Sequence, residues 1–247
     1  MAIHIVVPAR LASTRLPDKP LALIDGVPMV VRVLEQVAQC RADDVIAAVD
    51  DERVFAVVDR AGFKAVMTDV AHTSGSDRVF EVVGHMGWSD DDVVINVQGD
   101  EPLIPPDVVN RLIDEMLLEE DAPRLATLME PIRVERDFLD ANVVKAVPDE
   151  RGYALYFSRA PVPYPRDGVF KGAWRHVGVY AFTASALREF TQLPASTLET
   201  TEMLEQLRWL SAGLQIKLVA LTESVPGGVD TPEDLLRVTA AISQMPG

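Results

Sequence analysis

Cysteine is nearly absent from this 247-residue chain. Cys40 is the only one, so no internal disulfide and no cysteine-rich zinc site can form, and a reducing compartment fits. Basic charge is scarce as well. Lysine and arginine total 23 against 38 aspartates and glutamates, a net charge of -15. That balance argues against nucleic acid as a partner, because neutralising a phosphate backbone takes clustered cations in larger numbers. No apolar run approaches the roughly 18 to 20 residues of a membrane span, and the apolar start Met1–Ala9 is too short for a signal peptide. The expectation is a cytoplasmic protein with no membrane partner. Neither GxxxxGK nor GxGxxG occurs, which removes the two common glycine-rich phosphate loops. Internal repeats and low-complexity segments are missing too.

What is present is apolar residue in quantity, 48% of the chain, enough to bury a full core in one domain spanning 1–247. Continuous apolar runs predict strands at IHIVVPA from Ile3, VIAAV from Val45, KAVM from Lys64 and VVINV from Val93, each buried on both faces. Helical spacing fills the gaps at Pro28–Cys40, Asp51–Ala61 and Ser76–Met86. Strand alternating with helix is the pattern of a parallel sheet with helices on its faces. After a helix at Pro105–Glu120 the alternation is lost, and strands crowd together at Leu125–Ile132, Val143–Val147, Tyr153–Ser158 and Val177–Phe182. Pro161–Pro165, with Gly168 and Gly172, predicts a loop there. Helices at Ala184–Leu193 and Leu198–Ala212, a strand at Ile216–Leu221 and a helix from Pro232 complete the reading. The fold class is α/β, a mostly parallel central sheet flanked by helices, with a strand-rich middle insertion at about 125–182.

The first strand runs into VVPARLASTRLPDKPL, Val6–Leu21, where Arg10, Arg15 and Lys19 stand against Asp18. A loop leaving the first buried strand of such a sheet lies at the carboxyl edge, where these folds bind ligands. Local cations in an acidic chain suit a small polyanion, triphosphate above all. Pro8 and Ala9 fix the strand's exit, the two arginines offer forked donors and Lys19 a point charge. A solvated loop is the plainer alternative. In NVQGDEPL, Asn96–Leu103, Gly99 is expected to allow a sharp turn that projects Asp100 beside Glu101, and a hard divalent cation with phosphate ligands needs only one or two protein carboxylates. An acidic turn ahead of the next helix would read the same way. GGVDTPEDL, Gly227–Leu235, has Thr231 as N-cap, Pro232 at the first helical position and Asp234 three residues past the cap. Capping leaves Asp230 and the glycine pair unexplained, so Asp230 is a candidate second metal ligand. In HTSGSDR, small residues around Gly75 let a planar base approach backbone groups; an N-cap at Ser76 is the other reading. Arg159, after YALYFS, can bind a carboxylate bidentately or form an ordinary salt bridge. His176 can serve a hydroxyl or the core. Glu205 and Gln206 lie in LETTEMLEQLRWL, whose Leu204, Leu207 and Leu210 form an apolar face.

PARLASTRLPDKPL, SGSDR, NVQGDEPLI, YALYFSRAPVPYPR, RHVGVY, EMLEQLR and GVDTPEDL, in that order and over nearly the whole chain, resemble the 3-deoxy-manno-octulosonate (Kdo) cytidylyltransferases of lipopolysaccharide assembly. The resemblance implies a nucleotide-diphospho-sugar transferase-like fold, Mg2+ dependence, CTP and Kdo as substrates and a homodimer. It implies that Arg10, Arg15 and Lys19 hold the triphosphate beside Pro8 and Ala9. Ser74, Gly75 and Arg78 would line the cytidine pocket and Asp100 and Asp230 bind the metal. Gln98, Arg159, His176, Tyr180, Glu205 and Gln206 would take the sugar. Arg10, Lys19, Asp100 and Asp230 form the implied catalytic set, with no side-chain general base. Thr200 and Thr201 depart from the charged or histidine-containing pair of the family, and the 167–174 connection is short. A sialic-acid cytidylyltransferase shares the PAR opening but follows its lysine with asparagine, where Lys19 is followed by Pro20. A nucleotide-binding module without activity is the other alternative.

Overall fold

A computed structural model describes residues 1–13, 15–72 and 74–244. In chain order the elements are β1 (Ile3–Ala9), β2 (Leu23–Ile24), β3 (Val27–Pro28), α1 (Met29–Val37), β4 (Asp44–Val49), α2 (Glu52–Arg60), β5 (Lys64–Met67), α3 (Gly75–Met86), β6 (Val93–Asn96) and α4 (Pro106–Met116). Then come β7 (Leu125–Ile132), α5 (Glu135–Leu139), β8 (Lys145–Pro148), β9 (Ala154–Ser158), β10 (Ala173–Thr183), α6 (Ala184–Gln192), α7 (Thr197–Glu202), α8 (Leu207–Ser211), β11 (Lys217–Ala220) and α9 (Pro232–Ser243).

The central sheet has the order β11-β7-β10-β6-β1-β4-β5. Only β10 runs against the others, pairing antiparallel with both β6 and β7, so the sheet is mostly parallel. Of the strand-rich middle, β7 and β10 enter this sheet, and β8 and β9 extend it as an antiparallel arm. Side chains of β1 alternate between two cores. Ile5, Val7 and Ala9 join the helices α1 and α4 on one face, and Val6 joins α3, α6 and Trp209 on the other. Burial on both faces, expected of every early strand, fails at β5: it is the sheet's edge, with Lys64 exposed and its other residues half-buried.

A smaller core matters more for the site. Leu16, Ile24, Met29, Val229 and Val238 pack together, which ties the basic loop after β1 to the segment leading into α9. The β2–β3 hairpin contributes Ile24 and turns through Asp25 (φ 49°) and Gly26 (φ 76°), the Asp-Gly pair of a type I′ turn. The sequence reading has no strands there.

Two further expectations are corrected. The single helix read over Leu198–Ala212 is two, α7 and α8, broken at Met203, whose φ of 52° cannot continue a right-handed helix. The strand read from Val177 begins at Ala173, which places Trp174 inside β10, half-buried against the second core.

Candidate active site

A cavity of about 290 Å³ opens at the carboxyl edge of the sheet, between the exits of β1 and β6 and the start of α3. Pro8, Ala9, Arg10, Arg15 and Lys19 line it from the loop after β1. Ser74, Gly75 and Arg78 come from the start of α3, Gln98 and Asp100 from the turn after β6, and Asp230 from the approach to α9. The nucleotide and metal candidates and Gln98 therefore share one wall; Arg159, His176, Tyr180, Glu205 and Gln206 are not part of it.

Lys19 is the centre of its charge network. The ammonium Nζ donates to Asp100 Oδ2 at 2.5 Å and to Asp230 Oδ1 at 2.8 Å. Arg15 reaches the same Asp230 oxygen at 3.0 Å from a side chain that is 66% exposed. Burial pushes the Lys19 pKa down, but Asp100 and Asp230 outweigh it and hold it above its ordinary value. Two carboxylates converging on one small cation are a donor set that fits a divalent ion carrying phosphate ligands.

Backbone contacts fix those carboxylates. A Cβ on Gly99 would lie 2.6 Å from the Pro8 carbonyl oxygen, so glycine serves close approach to β1 as well as the expected turn, in which the Glu101 amide donates to the Gln98 carbonyl at 3.2 Å. A Cβ on Gly228 would lie 2.8 Å from the Asp100 carbonyl oxygen, and the Val229 amide donates to that oxygen at 2.8 Å. Arg237 donates to the carbonyls of Gly227 and Gly228 from α9. The capping box of Thr231 and Asp234 forms as expected, and it leaves Asp230 turned to Lys19.

On α3 the N-cap is Ser74, not Ser76: its hydroxyl accepts from the Asp77 amide at 3.1 Å. Ser76 donates instead to Glu205 Oε2 at 3.0 Å. The buried Arg78 lines the cavity but is committed, donating to Thr68 and to Asp50. Asp50 in turn accepts from the Leu11 amide, so Arg78 braces the basic loop. His72 is a lining residue the sequence reading leaves without a role. Its Nε2 is 2.6 Å from Glu81 Oε2; its position inside HTSGSDR was the available signal.

The remaining candidates stand around β10 and the α7–α8 break. Arg159 donates through Nε to the Glu202 carbonyl at 2.7 Å, and through its other nitrogens to the Ala141 and Met203 carbonyls. Glu202 returns the contact, accepting from the Arg159 amide and from Ser158. The buried Lys145 donates to the Arg159 carbonyl at 2.7 Å. Neither Glu202 nor Lys145 stands out in the sequence. His176 Nε2 is 3.0 Å from the Thr127 hydroxyl. That hydroxyl has one proton and two carbonyl acceptors, Val177 and Val179, so the imidazole is the donor in the His–Thr contact. Burial drives the His176 pKa down to about 3, with Arg175 adding to it, which keeps the ring neutral. Tyr180 pairs with Asn96 of β6, and burial, reinforced by Glu205, raises its pKa well above the ordinary range. Burial also raises Glu205, against the pull of Ser74, Ser76 and Arg208. Among the described residues, Glu205 Oε1, Gln206 Nε2 and Asn96 Oδ1 are buried without a hydrogen-bond partner. Unpaired buried polar atoms are costly, and none of the three residues lines the cavity. Thr200 is spent inside α7, its hydroxyl bonding Ser196 and Thr197 carbonyls.

Comparison with known proteins places this geometry. A cytidylyltransferase family model matches residues 4–216. The 3-deoxy-manno-octulosonate cytidylyltransferase of Cellvibrio japonicus is 46% identical over 252 aligned residues, covering 98% of both chains. A solved CMP:2-keto-3-deoxy-manno-octonic acid synthetase complexed with CTP is similar at TM-score 0.93 and 41% identity over 99% of each chain. A solved 4-diphosphocytidyl-2C-methyl-D-erythritol synthase shares the fold, with TM-score 0.65 and 14% identity over 98% of this chain and 99% of its own.

Proposed function

The chain belongs to the 3-deoxy-manno-octulosonate cytidylyltransferase family, and from that premise we propose how its residues carry the reaction. The protein is a nucleotidyltransferase that transfers CMP from CTP to Kdo, releasing pyrophosphate. The observation that carries the assignment of roles is the convergence of Asp100 and Asp230 on Lys19 inside a cavity lined by Arg10 and Arg15.

CTP lies with its triphosphate along Arg10, Arg15 and Lys19 and the Pro8–Ala9 backbone, and its base against Ser74 and Gly75. Arg78 acts by holding that wall in place. The anomeric hydroxyl of Kdo attacks the α-phosphorus in line, and negative charge grows on the transferring and leaving oxygens. The basic loop stabilises that charge. Asp100 and Asp230 would hold Mg2+, which would supply electrostatic stabilisation of the same oxygens. Kdo sits beside Gln98, toward His176, Tyr180, Glu205 and Gln206. The neutral His176 orients a hydroxyl, and the unpaired atoms of Glu205 and Gln206 take others. Arg159 meets the carboxylate from the end of β9. The sialic-acid alternative and the inactive-module alternative are not favoured. Pyrophosphate release with CTP should be at least about tenfold faster in kcat/KM with Kdo than with sialic acid, a ratio within reach of a hydrogen-bonding pocket; equal rates would overturn the sugar assignment.

The enzyme works in the cytoplasm on the path to lipopolysaccharide, as a homodimer. The arm β8–β9 supports the last point: Leu155, Tyr164 and Val169 are exposed around it, an apolar surface of the kind that marks interfaces. Light scattering at micromolar concentration tests it, and a monomer would refute it.

A further inference from the structure

We propose that Lys19 is a stand-in cation: without nucleotide its ammonium holds the place between Asp100 and Asp230, and only when triphosphate draws it away can a divalent ion enter. Metal then binds after nucleotide, not before. The inference rests on the assignment of the two carboxylates to the metal and adds an order to it.

Three observations carry it. First, one nitrogen satisfies both carboxylates, at 2.5 and 2.8 Å, from a side chain only 14% exposed. A divalent ion entering beside it would meet a positive charge at close range and find one oxygen of each carboxylate taken. Second, the backbone keeps the two aspartates side by side when the ammonium leaves. Gly99 is packed on the Pro8 carbonyl, Gly228 on the Asp100 carbonyl, and the Val229 amide is bonded to Asp100. Departure of Lys19 therefore leaves two facing negative charges, which demand a cation. Third, Lys19 is able to leave. It lines the same cavity as Arg10 and Ser74, and its four-carbon stem bears three rotatable donors. Arg78, by contrast, is pinned by Thr68 and Asp50. Arg15 touches the same Asp230 oxygen, but its open position lets water and salt screen it.

The test is Mn2+ binding to the nucleotide-free full chain, followed through the electron paramagnetic resonance of free Mn2+. Wild type is compared with Lys19→Met, with Lys19→Gln as a second variant of similar length, and with Lys19→Met combined with Asp100→Asn. Both single variants should bind Mn2+ at least about tenfold more tightly than wild type, the scale set by removing one unit charge a few ångströms from the ion. The double variant should lose that gain. Equal affinity in wild type and both single variants overturns the inference. Turnover of Asp230→Asn then separates two failures. If it is lost, the order of binding alone is wrong; if it is normal, the carboxylates were never metal ligands.

Discussion

The two groups of residues proposed for the nucleotide and for the sugar satisfy their polar atoms in opposite ways. On the nucleotide side, charges meet charges: Lys19 with Asp100 and Asp230, Arg15 with Asp230. On the sugar side, Arg159 is tied to three backbone carbonyls while Glu205 and Gln206 keep buried atoms without a partner. An ionic partner can be exchanged for another ion of the same sign at modest cost, whereas a backbone tie is part of the fold. The proposed nucleotide side is thus suited to exchange, whereas on the proposed sugar side Arg159 is held by the backbone.

The sharpest way to break this contrast is to delete exchangeable charge without changing shape. Asp100→Asn and Asp230→Asn should each lower kcat by on the order of a hundredfold or more, roughly 3 kcal/mol of transition-state stabilisation. Folding should be little changed. Turnover of Asp230→Asn within threefold of wild type at saturating Mg2+ would remove it from the metal site.

Next in size comes the framework beneath those charges. Gly228→Ala places a methyl group 2.8 Å from the Asp100 carbonyl, whereas at Gly227 the nearest atom is the tip of Arg237 at 3.8 Å. Displacing Asp230 slightly should cost about tenfold or more in kcat, and Gly227→Ala should cost almost nothing. Similar kinetics for the two alanines would show that the close approach does not position the carboxylates.

On the sugar side the expected signature is mixed. Arg159→Ala strips donors from the Glu202, Ala141 and Met203 carbonyls, so stability should fall by about 1 to 3 kcal/mol. The KM for Kdo should rise severalfold while that for CTP stays put. Thermal melting and two-substrate kinetics read the two effects separately, and an unchanged KM for Kdo would reduce Arg159 to a structural role.

The smallest effect lies beside Asp100. Burial raises the Glu101 pKa to about 8, with Asp100 adding to the rise and Arg175 opposing it. Its folded value lies above the unfolded one, so its contribution to stability is complete below about pH 4.5 and is lost as pH rises through 8. Glu101→Gln, neutral throughout, should gain a few degrees in Tm relative to the metal-free wild type between pH 5 and 8. A difference that stays flat with pH would contradict this.

The sequence announces the nucleotide side far better than the sugar side, for physical reasons. Buried parallel strands such as β1 and β6 read as unbroken apolar runs, and the start of α9 carries Thr231, Pro232 and Asp234 in positions any helix would use. Once those elements are placed, the residues just past their ends share one sheet edge. The Met203 break carries no such sign, because a methionine at positive φ is stabilised by tertiary contact, the Arg159 donor on its carbonyl, and not by local preference. The β2–β3 hairpin was legible in its Asp25-Gly26 pair, but strands of two residues leave no periodicity to detect. Gly99 was legible for its turn but not for its close approach to the Pro8 carbonyl, which is a property of two chain segments that neither reveals alone.

One hydrogen bond has a consequence for the life of the chain. The Val229 amide closes on the Asp100 carbonyl, and Asp230 meets a lysine that lies 211 residues earlier. A ribosome emits Lys19 and Asp100 long before Asp230, so the growing polypeptide can assemble β1, β4 and β6 with Asp230 still unmade. The pairing of Lys19 with both aspartates is completed only when the approach to α9 docks, and a chain ending before Asp230 is expected to be inactive on CTP.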